Sequence, residues 1–237
     1  MNTEDITLGK IAVTDFLFNS LTRYNTSLVT FRQDTDHKLD LASEGHRDLL
    51  LVWLNAWGCR HLSKDSHGVA SRNILEWYQR YRTTLFSDET PLWHLADQEI
   101  KAAADAYGSL KNRLGARRPR HGNQMKVPIG PTAASKILFA LRPKALMPWD
   151  DAMRKAYDCD GSPESYGRYQ KTMRSIALHI EKLCKSRGFE IDDLPAKIGR
   201  SRSTVVELLN EYIWVTTRKP AIKLPASDTL AQWASLD

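Results

Sequence analysis

KVPIGPTAASKILFALRPKALMPWDDAMRKAY, residues 126–157, runs from a glycine turn through a small-residue helix to an acidic helix start. It opens with a turn, Val127-Pro128-Ile129-Gly130, in which Gly130 permits a tight bend and close backbone approach. A helix over about 132–141 begins with the small residues Thr132, Ala133, Ala134 and Ser135, which allow close packing on a partner helix. The N–H groups of its first turn have no intrahelical acceptor, and with the helix dipole they form a ready site for a phosphate. Lys126 and Lys136 flank the turn with positive charge. A Pro-bounded connection over 142–148 then leads to Trp149, Asp150 and Asp151 and to a helix over 150–157. Asp is a favoured N-cap, so Asp150 has a structural reading beside any chemical one.

Outward from this segment the periodicity is helical in both directions. Apolar spacing predicts helices over 11–24, 45–57, 69–85 and 91–114 on one side, and over 166–187, 195–198 and 202–214 on the other. Residues 27–31 suit a strand but have no evident partner. Residues 115–125 combine Gly and Pro with basic side chains and read as a loop. The tail, 218–237, with Pro220 and Pro225, reads as surface-wrapping chain. At 237 residues the chain suits one large domain or two small lobes sharing a cleft.

The chain carries 34 Lys and Arg against 28 Asp and Glu, a net charge of +6. Lys111, Arg113, Arg117, Arg118, Arg120 and Lys126 occur without an intervening acid and account for the whole excess. A polyanion such as nucleic acid is the natural partner of that segment; the other reading is a solvated basic loop. Cys59, Cys159 and Cys184 are too far apart for a disulfide framework, a structural zinc site or a four-cysteine iron–sulfur cluster. They point to a reducing, cytoplasmic compartment. The polar, acidic start of the chain is unlike a signal peptide, and no apolar run reaches the ~18 residues of a membrane span. His61, His67 and His121 lie in polar segments without metal-ligand spacing.

The 126–157 segment resembles the helix-hairpin-helix superfamily of DNA glycosylases, with a fainter echo at 50–60. That family has a Gly-hydrophobic-Gly hairpin turn, and after a helix and a loop a hydrophobic residue, an Asp and a further helix. Here Pro128 replaces the first Gly, Trp149 and Asp150 stand at the later pair, and Asp151 offers a second register. The resemblance implies an all-α fold of two helical lobes around a basic cleft. It implies DNA contacts from Lys126, Val127, Ile129, Gly130, Thr132 and Lys136, with Arg117, Arg118 and Arg120 of the basic segment adding phosphate contacts. It makes Asp150 the catalytic carboxylate, with Asp151 as helper or cap, and places Trp53, Asn55, Trp57, Arg60 and Trp149 around an extruded base. Family members that also cut the strand carry a Lys two residues after the second turn Gly. Thr132 stands there, so a monofunctional enzyme is expected, monomeric and without metal or organic cofactor.

The chemistry fits such a carboxylate. Breaking an N-glycosidic bond builds positive charge on the sugar, which a nearby Asp stabilises while orienting water. The base must first be flipped from the duplex. A damaged or mismatched base would mean repair; a bulky or polar modified base would suit defence against phage DNA.

Residues 194–205, LPAKIGRSRSTV, resemble the helix-turn-helix of transcription regulators, with a turn at Gly199, Ser201 as N-cap, and Arg200 and Arg202 facing phosphates or bases. Within 190–214 this supports a non-catalytic DNA-binding protein as the alternative. A helical interaction protein without a nucleic-acid partner is a third reading.

Overall fold

A computed structural model describes residues 3–120 and 123–224, with Arg120 described in its backbone alone. The side chain of Arg120, His121 and the tail from 225 onward lie outside the described residues. The fold is mostly helical. In chain order the helices are α1 (Leu8–Leu21), α2 (Tyr24–Asp34), α3 (Glu44–Ala56), α4 (His67–Tyr81) and α5 (Asp97–Lys111). A β-hairpin of β1 (Leu114–Arg120) and β2 (Asn123–Pro128) follows. Then come α6 (Gly130–Leu141), α7 (Asp151–Ala156), α8 (Pro163–Ser186), α9 (Leu194–Lys197) and α10 (Val205–Arg218).

Local chemistry sets the helix starts. Thr7, Ser43, Ser162 and Thr204 each accept a hydrogen bond from the backbone N–H three residues on, satisfying a donor the helix cannot. At α10 the cap is reciprocal: Thr204 N donates to Glu207 Oε1 at 3.0 Å while Glu207 N donates to Thr204 Oγ1 at 3.2 Å. The helix therefore starts at Val205, three residues beyond the start that Ser201 suggests. In α8 the buried positions Tyr166, Tyr169, Gln170, Met173, Ile176, Ala177, Ile180 and Cys184 trace one face, and one contiguous core runs from Ile6 to Ile213.

Other segments also fold differently from what their sequence suggests. Residues 27–31 lie within α2, because a strand without a partner leaves its ladder groups unsatisfied whereas a helix satisfies them internally. The helix expected over 91–114 is split: a single 3-10 turn, Leu92–His94, precedes α5. The basic segment at 115–125 is an antiparallel hairpin rather than a loop, pairing Ala116 with Val127, Arg117 with Lys126 and Arg118 with Met125. At its base Gly115 is required by space, since a Cβ there would sit 2.9 Å from Leu62 Cδ2 and 3.0 Å from the Ile129 backbone.

α5 packs against α6, and the hairpin is their connection. The turn at 127–130 thus joins a strand to a helix, not two helices. No helix among the described residues is long and apolar enough to cross a membrane.

Candidate functional site

Gly130 takes φ +80°, a left-handed conformation costly for any residue with a Cβ. A Cβ there would meet nothing within 4 Å, so the backbone angle and not space demands glycine. The bend turns the chain from β2 into α6, and Pro131, with no N–H to leave unsatisfied, suits the first turn.

Small residues then bind α6 to the Asp150 segment. Ser135 is fully buried; its Oγ accepts from Trp149 N and donates to Trp149 O, both at 3.2 Å. Trp149 Nε1 donates to Pro131 O at 3.2 Å, and its ring packs among Tyr107, Tyr166 and Tyr169. Gln170 of α8 pins the preceding loop through both Met147 N (3.0 Å) and Met147 O (2.9 Å). Asp150 is thereby held beside the start of α6.

Asp150 caps α7, its Oδ1 accepting from Met153 N at 2.9 Å. Its Oδ2 accepts two charge-assisted bonds from Arg218, 2.9 Å from Nε and 2.6 Å from Nη2. The carboxylate is mostly buried and lines a cavity of about 360 Å³. Asp151 differs: it is exposed and pairs with Arg154 and Lys155, each at 2.7 Å, and the bonded Lys155 lowers its carboxyl pKa.

The cavity brings together Ile129, Gly130, Thr132, Lys136, Trp57, Trp149, Asp150 and Asp151 of the residues read from sequence. Its aromatic side runs from Phe18, edge-on to Trp214 at 5.2 Å, through Tyr24 to Trp57, whose rings stand 5.7 Å apart. Trp57 is fixed by Nε1 donating to Tyr24 O and Ser27 Oγ, both at 3.0 Å.

Lys136 is placed otherwise than the sequence suggests. It is 8 % exposed, and its Nζ donates to Trp57 O, the carbonyl at the end of α3 that no helical N–H reaches. The ammonium lies 5.5 Å from the Trp57 ring centroid. Burial pushes its pKa down, against the pull of Cys59 and Asp150. Its Nζ is turned inward to Trp57 O and the cavity, and does not flank the turn as a phosphate contact. Ile129 is also turned inward, fully buried, its N–H donating to Arg113 O and its O accepting from His61 Nε2, both at 2.8 Å. Burial lowers the His61 pKa, and Arg118 adds to that effect.

Arg117, Arg118 and Lys126 are exposed on the hairpin, and Val127 is half-buried opposite Ala116. Trp53 is 2 % exposed and stacks on Phe31 at 5.1 Å in the core, behind Trp57 (4.7 Å) and outside the cavity lining itself. Asn55, which donates to Leu62 O at 3.4 Å, and exposed Arg60 are likewise outside that lining.

Phe18, Tyr24, His61, Asn210, Trp214 and Arg218 line the cavity without having been singled out as pocket residues by sequence. The one local signal was the spacing of Asn210, Trp214 and Arg218, which share a helical face. In α10 residues 205–213 are all buried, so this stretch offers no face to a DNA groove. Arg200 pairs with Asp15 and, at 3.2 Å, with Glu211, while Arg202 is exposed.

No family model, curated protein or solved structure matches this chain.

Proposed function

We propose that the protein is a monofunctional DNA glycosylase that takes an extruded base into the Asp150 cavity and hydrolyses its N-glycosidic bond. The observation that carries this reading is the position of Asp150: a largely buried carboxylate, at the rim of α6's N-terminus, facing an aromatic-lined cavity. At about 360 Å³ the cavity falls in the range typical of small-ligand sites. Trp57, Tyr24 and Trp214 supply stacking surface, and the N–H groups opening α6 suit a phosphate. Asp150 stabilises the oxocarbenium-like sugar and orients water. Arg117, Arg118 and Lys126 on the hairpin hold the DNA backbone. The β-ribbon between α5 and α6 takes the place of the short hairpin in the glycosylase resemblance, and the two-lobed arrangement around the cleft belongs to this reading. Thr132 at the lyase position and Lys136 bonded to Trp57 O favour a hydrolytic, monofunctional enzyme.

Incubation with unmodified, deaminated, alkylated and phage-modified DNA, followed by mass spectrometry of released bases, tests it. One base class is expected in the supernatant, with matching alkali-labile breaks. Binding to these DNAs without release from any would contradict the reading and favour a non-catalytic DNA-binding protein. The base released also separates repair from defence.

A further inference from the structure

Asn210, Trp214 and Arg218 recur every fourth residue along α10, so they stack on one face, and all three line the cavity. Each has unused capacity there. Asn210 is 6 % exposed, yet its amide makes no hydrogen bond among the described residues. A primary amide offers two donors and an acceptor oxygen, and neither amide atom of Asn210 is among the buried unpaired polar atoms of the described residues, so the group is open to the cavity and free to meet a ligand edge. Trp214 is half-buried and meets Phe18 and Tyr24 edge-on. The Arg218 side chain is 43 % exposed and directs two N–H groups at a single oxygen of Asp150.

We propose that this face of α10 reads the nucleotide. Asn210 bonds the edge of the extruded base, Trp214 stacks on it, and Arg218 passes from Asp150 to the flanking phosphodiester. The ligand class rests on the glycosylase reading. The transfer exchanges one singly charged anion for another, so the guanidinium keeps a charge-assisted partner throughout. It also uncovers Oδ2 when DNA arrives. A carboxylate neutralised by a guanidinium stabilises a developing sugar cation poorly, so the exchange couples substrate arrival to an available negative charge.

The test measures equilibrium binding to duplexes in which one hydrolysis-resistant 2′-fluoroarabino nucleotide faces an abasic analogue. Adenine, cytosine, guanine, thymine, uracil, hypoxanthine and 5-hydroxymethylcytosine are compared across a salt series. Wild type discriminates among them. Asn210→Ala narrows the spread about tenfold and leaves the salt dependence unchanged. Asn210→Asp, which keeps the size but removes the donors, reorders the preferences. Arg218→Met preserves the ranking and lowers the slope of log K against log salt by about one, while Arg218→Lys retains the slope. Lack of base preference in wild type, an unchanged ranking in Asn210→Ala, an unchanged slope in Arg218→Met, or a uniform loss tracking a lower melting temperature would overturn the proposal. Absence of DNA binding by wild type would instead defeat the glycosylase reading, and this inference with it.

Discussion

Arg117 and Arg118 stand exposed on the β1–β2 hairpin with no ion pair among the described residues, whereas Arg200, in the turn between α9 and α10, is held between Asp15 and Glu211. Both regions are basic in sequence, and both suit nucleic acid on that ground. The difference comes from acids that the fold delivers: Asp15 is 185 positions from Arg200 and approaches through the packing of α1 on α10. No acid reaches Arg117 or Arg118 among the described residues. A basic residue in sequence is therefore only a potential contact, and the fold decides whether it faces a polyanion or an internal carboxylate.

This contrast is best broken by substitution at the two sites. Replacing Arg117, Arg118 and Lys126 together with Ala should weaken DNA binding about a hundredfold at low salt and cut the log–log salt slope by about three, with little change in melting temperature. Anisotropy titrations across a salt series read both quantities. An unchanged slope would remove the hairpin from the interface. Arg200→Ala should do the reverse. It leaves Asp15 facing a Glu211 carboxyl whose pKa is already raised by burial and by Asp15 itself, so stability falls by about 3 kcal/mol, or roughly 10 °C in Tm. DNA affinity per folded molecule stays the same. A lower salt slope in Arg200→Ala would restore the helix-turn-helix reading of this turn.

The smallest effect concerns His61, beneath the hairpin. Its folded pKa lies below the ordinary 6.5 because burial disfavours the charged ring. Between the two values the unfolded chain binds more protons, so stability falls as pH falls through the window below 6.5 and the effect is complete below the folded pKa. Melting curves on acidification should show wild type losing more than His61→Gln. Parallel curves would contradict the assignment.

Much of the helical fold is legible in the sequence because periodic burial is a local signal, as in α3, α4 and α8. The hairpin is not: its strands are short, basic and proline-containing, and they form a ladder only with each other. Within the site, Gly130 and Asp150 stand out because a turn and a cap need particular residue types. Trp53 and Trp57 look equivalent in sequence, yet one packs on Phe31 and the other borders the cavity. Lys136 looks like a surface lysine at a turn, and only the end of α3 arriving above it makes it a buried partner of Trp57 O. Arg218 depends on a contact with a residue 68 positions away, which no local pattern carries.

The neighbouring carboxylates give the most direct measurement: single-turnover base release by wild type, Asp150→Asn and Asp151→Asn on a DNA that wild type processes. Asn remains a good N-cap, so α7 should persist in Asp150→Asn. A loss of at least about a hundredfold is expected for Asp150→Asn with DNA binding retained, and a change within about threefold for exposed Asp151→Asn. Equal activity in Asp150→Asn and wild type, or a larger loss at Asp151, would contradict Asp150 as the catalytic carboxylate.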